Sequence, residues 1–456
     1  MSTSSQPGTS CAKSVTIERG FGRANADSAP LPDAGAESRG LAVAYVTVQF
    51  PEPSETFATN EVRALMLDGV HVTVHGLRRR HPRALEMLRE RELSELSSTH
   101  NGLIASLRGT WEGITRPRST LSALLWIVRS NWRKPRDVLI SLMLLPRAMD
   151  VLALIERARP DVVHMYWGHL PTIVGRLVQR RLPAIATSVS IVAYDLVWEY
   201  GGAVEVLRGA DLIRTHTDAN RPRIARFAGV DSERVAVIYN GVDIGRLQRI
   251  RERQGKVRHR IATAGRLTQK KGMRDVIEAF ALVRRTWPDA SLVVLGDGPD
   301  RSDLLELCQR RGVDGAVEFL GHVPHDRVIE ELAKSEVFML LSRSEGERLP
   351  NVVKEGMVCG CACITTPTIG IGELVEHMRT GFVVPMSDSR AASEAVNLVF
   401  AGDVDIGRMT RDAKQHIVER FDLYKSVRQY QDLWRDAAIR AKRREPALKA
   451  GASASR

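Results

Sequence analysis

The chain is predicted to be α/β, with two doubly wound parallel sheets facing each other across a cleft. Three observations predict this. Short apolar strands alternate with helices in two separate series, at residues 41–245 and 255–420, as in parallel sheets covered on both faces. Between the series, residues 246–258 are strongly basic without a sustained apolar face, which places a domain junction there. The length, 456 residues, also exceeds what one core usually organises.

Residues 1–40 are rich in Ser, Ala, Gly, Pro and Asp without an apolar period, and are expected to be disordered. Order begins with a strand at 41–48, followed by a helix at 56–68, its stop at Gly69, and a strand at 70–74. Strands at 161–165 and 184–188 flank a helix at 172–181; two more follow at 211–215 and 235–239. The second series opens with a strand at 261–264 and a helix carrying Val276, Phe280 and Val283 at helical spacing. Strands at 292–295, 317–320, 337–341 and around Ile364 complete it. A partly charged helix at 421–443 could pack on either half, and 444–456 is expected to be a flexible tail.

The formal charge of +12 attracts polyanions: nucleic acid, nucleotide sugar or anionic lipid. Nucleic acid is disfavoured, because aromatic residues are only 5% of the chain and neither a stacking platform nor zinc-finger spacing occurs. No run of 18 apolar residues and no basic-then-apolar leader is seen, so the protein is expected in the cytoplasm. Five cysteines include Cys359, Cys361 and Cys363 alternating along an apolar stretch, which favours core packing over a zinc site. Apolar runs at 121–128 and 138–145 are interleaved with Arg129, Arg133, Lys134, Arg136 and Arg147 and preceded by Arg78-Arg79-Arg80, with Trp126 and Trp132 among them. They fit helices lying on an anionic membrane, or amphipathic core helices with solvated basic faces; the first is preferred.

Glu347 and Glu355 are separated by seven residues across a loop and a helix start that follow the strand at 337–341. Pro350 suits the first helical position, leaving the amides of Asn351, Val352 and Val353 to face an anion such as a diphosphate. Glu355, more than a turn further in, is placed for ribose hydroxyls, and Glu347 for a sugar. Arg266 and Lys271, in the loop after the strand at 261–264, can neutralise a pyrophosphate as charge develops, or form an exposed basic loop. Gly296-Asp297-Gly298-Pro299 makes a tight turn that a base or phosphate can approach closely, and serves equally as an ordinary connection.

These loops, with Asn240-Gly241-Val242-Asp243, Phe319-Leu320-Gly321 and Gly381-Phe382-Val383-Val384-Pro385, occur in the order of one family. The chain resembles the retaining glycosyltransferases of group 1, of the family 4 type, and especially bacterial exopolysaccharide and colanic-acid enzymes. The resemblance implies the two-domain GT-B architecture. It also implies that Arg266 and Lys271 hold the donor diphosphate, Glu355 binds ribose and Glu347 contacts the donor sugar, with Gly296, Gly298 and Gly321 lining the nucleotide site. Two positions depart from the family: Arg348 stands where Gly is usual, to crowd the sugar or contact it, and Gly372 stands where Pro is common.

The first half resembles the family more loosely. In Pro53-Ser54-Glu55-Thr56-Phe57, Ser54 is equally suited to helix capping and to substrate contact. Val163-His164-Met165-Tyr166-Trp167-Gly168-His169 brings His164 and His169 to a strand end as acceptor contacts, while His164 also suits a hydrogen-bonded core position. Val192 occupies the place of a usual His, so either His164, His169 or Asp195 substitutes or the family's arrangement is altered here. The expected activity is retaining transfer from a nucleoside diphosphate sugar to a hydroxyl of a growing, lipid-linked glycan, without metal or other cofactor. A non-catalytic scaffold and a sugar-nucleotide epimerase of the same architecture are the alternatives.

Overall fold

The computed structural model describes residues 40–52, 55–344 and 346–444. Its first sheet contains β1 (Ala42–Thr47), β2 (His71–Gly76), β3 (Ser97–Thr99), β4 (Val162–Tyr166), β5 (Ala186–Ser190), β6 (Leu212–Thr215) and β7 (Val235–Val237). They run in the order β3-β2-β1-β4-β5-β6-β7. The second sheet contains β8 (Val257–Ala264), β9 (Ser291–Leu295), β10 (Val317–Gly321), β11 (Ser335–Leu340), β12 (Ala362–Thr365) and β13 (Phe382–Val383), in the order β10-β9-β8-β11-β12-β13. The pairings within both sheets are parallel. The doubly wound α/β class predicted from the alternation is therefore the observed one.

Two strands had no counterpart in the sequence reading. β3 is Ser-Ser-Thr and β13 has two residues; both are edge strands held by backbone pairing rather than by an apolar alternation. In each sheet the winding direction reverses once, between β1 and β4 and between β8 and β11. Doubly wound sheets open a crevice outside the carboxyl ends of that strand pair. Lys271, Glu347 and the start of the helix Asn351–Val358 fall at the second crevice, and His169 at the first.

Side chains alternate along β1 between two cores. Ala44 and Val46 pack with the helix Pro135–Ala158, whereas Val43 and Tyr45 face the helix Leu423–Lys442. This last helix therefore covers the first sheet, settling which half it joins. Trp434 is fully buried there and its Nε1 donates to Ser188 Oγ at 3.0 Å. The two crossings between halves run side by side: Val242 N donates to Phe421 O at 2.9 Å, and Leu423 N to Val242 O at 3.1 Å.

Three expectations need correction. Residues 246–258 do not form a bare junction, because the helix Ile244–Arg251 buries Ile244 and Leu247 in the second half's core. One narrow face suffices for so short a helix. The run at 138–145 belongs to Pro135–Ala158, which buries Leu144 and Leu145 but exposes Leu139 and Met143, so only part of it is core, and Arg147 is a core residue paired with Asp150 and bonded to Gly76 O at 3.0 Å. Among the described residues this is the one helix long and apolar enough to cross a membrane, yet 61% of its apolar window is buried in the protein. Residues 1–39, Ser54 and 445–456 lie outside the described residues.

Candidate active site

The second crevice is built from loops that depend on one another. After β8, Gly265 N donates to Leu295 O at 2.9 Å; after β9, Gly296 N donates to Gly321 O at 2.8 Å. Leu267 N reaches Asp297 O at 3.0 Å. Gly296 has φ +129, and a Cβ there would lie 2.0 Å from Gly265 O, so the turn requires glycine. At Gly298 a Cβ would lie 2.3 Å from Leu267 O. The glycines thus let three strand-end loops close on one another, with Gly321 at φ +68 ending β10.

Into this frame the structure brings Lys271 and Glu347 together. The ammonium meets Glu347 Oε2 at 2.5 Å, and Ser342 Oγ donates to the same oxygen at 3.2 Å. Arg266 is exposed on the same loop as Lys271, without an ion-pair partner among the described residues. The helix Asn351–Val358 begins one residue later than expected: Pro350 is its N-cap, not its first helical residue. Val353 N is already bonded to Pro350 O at 3.1 Å, so the amides left for an anion are those of Asn351 and Val352. Glu355, nearly buried on this helix, bonds His325 Nε2 at 2.9 Å. Burial opposes charge on His325, but the Glu355 carboxylate outweighs it and lifts the imidazole pKa above its ordinary value.

Lys354 and Arg348 point the other way, towards the first half. Lys354 is fully buried and donates to Asn240 O at 2.7 Å and to Asn351 Oδ1 at 3.0 Å. Burial brings its pKa down to about 7. Arg348, expected to crowd or contact a sugar, is buried, with Nε donating to Asn220 Oδ1 at 3.0 Å and Nη1 to Glu347 O at 3.0 Å. Its long side chain reaches a partner in the first half instead of filling the pocket. Glu373 makes the second clasp: its carboxylate accepts from Thr217 Oγ1, the amides of Asp218 and Ala219, and Tyr239 OH.

In the first crevice a cavity of about 770 Å³ opens beyond β1 and β4, lined by Glu55, Phe57, Trp167, His169, Tyr194 and Trp198 among others. His169 stacks on Trp167 with centroids 5.6 Å apart and accepts from Leu170 N at 2.8 Å. Burial, helped by the Arg78 charge, brings its pKa down to about 3, so the ring is neutral. Asp195 does not face the cavity as a free carboxylate: it accepts from Gly168 N and Val192 N, each at 2.9 Å, and joins the loops after β4 and β5. Its burial pushes the carboxyl up to about 7 against those two bonds. His164 is not an acceptor contact. It lies in the core, with Nδ1 2.9 Å from Ser188 Oγ and its ring against Tyr45 and Trp434. Mid-strand on β4, it cannot reach the crevice.

Residues that the sequence reading passed over include Glu55 and His325. Burial, then the neighbouring Glu52 charge, push Glu55 up to about 7. Glu55 follows the singled-out Ser54 at the same strand end, a position that could have drawn attention to it. His325 had no local signal, since its partner lies thirty residues on. The free thiols Cys359, Cys361 and Cys363 are buried, and no group of three metal-ligating side chains gathers among the described residues.

Residues 248–416, which include all of this second crevice, match the family described as glycosyl transferases group 1. The second half is a group 1 glycosyltransferase domain. Of its relatives, the N-acetyl-alpha-D-glucosaminyl L-malate synthase of Bacillus anthracis is 36% identical over 168 residues, which cover 36% of this chain and 42% of the synthase. A glycogen synthase of Mycobacterium tuberculosis is 27% identical over 58% of this chain and 66% of its own, so the chain spans less than two thirds of either. The putative colanic acid biosynthesis glycosyltransferase WcaL of Escherichia coli is 24% identical over 84% of this chain and 96% of its own. Among solved structures, Anabaena HepE in complex with UDP superposes with a TM-score of 0.64 at 18% identity, covering 86% of this chain and 99% of HepE. The glycosyltransferase domain is thus one half of a GT-B fold.

Proposed function

We propose that the chain transfers a sugar from a nucleoside diphosphate to a hydroxyl of a growing, lipid-linked glycan, with retention of configuration, in the assembly of a cell-surface polysaccharide. The observation that carries this is the convergence of Lys271, Glu347, Glu355 and the Asn351 helix start on the crevice between β8 and β11. The names of WcaL and of the UDP-bound HepE support the reaction class and the donor class. In this reading the bond between the sugar's anomeric carbon and the diphosphate oxygen breaks while the acceptor oxygen bonds to the same face. The acceptor's proton passes to the departing phosphate oxygen. Arg266, Lys271 and the amides of Asn351 and Val352 stabilise the charge that develops there, the task a metal performs in other transferases. Glu355 holds the ribose and Glu347 the sugar, while Gly296, Gly298 and Gly321 admit the base. The acceptor enters the cavity beside Glu55, Trp167 and His169.

Calorimetric titration with UDP-, GDP- and ADP-sugars, followed by mass spectrometry of donor hydrolysis, tests the proposal. Lys271→Ala and Glu355→Ala are each expected to weaken donor binding by about tenfold or more, the loss of a charge-assisted hydrogen bond. Unchanged affinity in both variants would falsify the donor site. Val192 favours one second reading, a non-catalytic binding protein: its side chain offers no hydrogen bond at the position where the family has histidine. That protein would bind donor yet show neither hydrolysis nor transfer.

A further inference from the structure

The helix Leu103–Thr115 is inside out for a water-soluble protein. Its inward face is Ala105, Gly109 and Gly113, while Leu103, Ile104, Leu107, Trp111 and Ile114 are between 62% and 78% exposed. Amphipathic surface helices normally bury the large residues and expose the polar ones. The small face lets backbones touch: a Cβ at Gly109 would lie 1.7 Å from Pro146 O of the helix Pro135–Ala158. Small residues inside and large ones outside is the arrangement of helices whose surroundings are apolar. The next helix, Pro117–Asn131, buries Trp126 and Ile127 beside Ala123, yet it also exposes Leu121, Leu125 and Val128. Trp132, Leu139 and Met143 extend the exposed apolar surface onto the third helix.

Exposed arginines without ion-pair partners among the described residues border it: Arg118, Arg129, Arg133 and Arg136, of which Arg133 stacks over Trp132 at 4.9 Å. Apolar side chains edged by tryptophan and unneutralised arginine complement an anionic lipid surface, where the rings sit at headgroup level. A second copy of this chain would bring arginine against arginine. Arg136 and Ile140 also line the cavity proposed for the acceptor, and the exposed Leu139 adjoins Ile140 on the same helix.

The geometry points to this three-helix face as a docking surface for an anionic bilayer, which sets the cavity mouth against the membrane that carries the acceptor lipid. The second clause rests on the cavity being the acceptor site; the docking does not. The surface keeps Leu121, Leu125, Leu139 and Met143 of the runs at 121–128 and 138–145, adds Leu103–Thr115 as its leading element, and leaves out Arg147.

Sedimentation of the full chain with phosphatidylcholine vesicles, with and without phosphatidylglycerol, tests it. The wild type is expected to sediment with the anionic vesicles and to be released by salt. The double variant Leu107→Glu, Trp111→Glu should lose binding by about tenfold or more, with its melting temperature unchanged because both residues are exposed; Ile104→Glu takes its place should the double variant fail to fold. Arg118→Gln with Arg129→Gln and Arg133→Gln should lose about tenfold for anionic vesicles and little for neutral ones. Wild type left in the supernatant overturns the proposal, as does a concentration-dependent dimer abolished by the same glutamates. Donor affinity is measured on the same samples. Vesicle binding without donor binding would overturn the transferase reading alone, and donor binding without vesicle binding the docking surface alone.

Discussion

His325 and Glu355 meet at 2.9 Å, and the pair ties the ribose-side carboxylate of the proposed donor site to pH. Because the Glu355 carboxylate outweighs burial, the folded-state pKa of His325 is raised above the unfolded value of 6.5. Its contribution to stability is therefore fully present below pH 6.5 and is lost as pH rises through the raised value. The melting temperature of His325→Gln should fall below that of wild type most at acid pH, with the gap closing towards alkaline pH. A gap constant with pH would mean that the imidazole acts by packing alone. Arg348 shows the limit of reading a residue by its neighbours in sequence. It follows Glu347 directly, yet its guanidinium is spent on Asn220, in the other half of the molecule.

The loops of the second crevice act as one element because their backbones bond to each other. Gly296→Ala puts a methyl group against Gly265 O and demands φ +129 of an alanine, so a loss of about 1–3 kcal/mol or more is expected in urea unfolding. Donor affinity should fall with it, since the same turn admits the base. A variant as stable as wild type would show that the loops are not interlocked. The order of these loops was legible in the sequence because each follows a strand of strong apolar character. The helix Leu103–Thr115 was not legible. Its large and small residues alternate with helical period, but periodicity cannot say which face turns inward; only the close approach at Gly109 decides that.

Across the whole molecule, the last helix is what makes the two halves one body. The chain leaves the first half at Val242, completes the second, and returns beside its own exit at Leu423 to bury Trp434 under the first sheet. Trp434→Ala should cost about 3–5 kcal/mol by leaving a large cavity, and Trp434→Phe much less, close to the single indole bond to Ser188. Denaturant unfolding measures both. Equal losses would show that the indole N–H, not the volume, anchors the helix. Glu373 and Arg348 add polar clasps near the crossings, so the crevices of the two halves are held in register by groups far apart in the chain.

By itself the sequence determined the two doubly wound sheets, most of their strands, and the placing of Lys271 and Glu347 in loops that follow strands. These follow from local periodicity and from where loops fall relative to strands. Only the tertiary structure decided that His164 is core, that Asp195 joins two loops, that Arg348 leaves the pocket, and that a helix of Leu, Ile and Trp turns outward. Each of these depends on a partner distant in sequence, and a hydrogen bond or a close backbone approach between remote segments leaves no period in the chain that makes it.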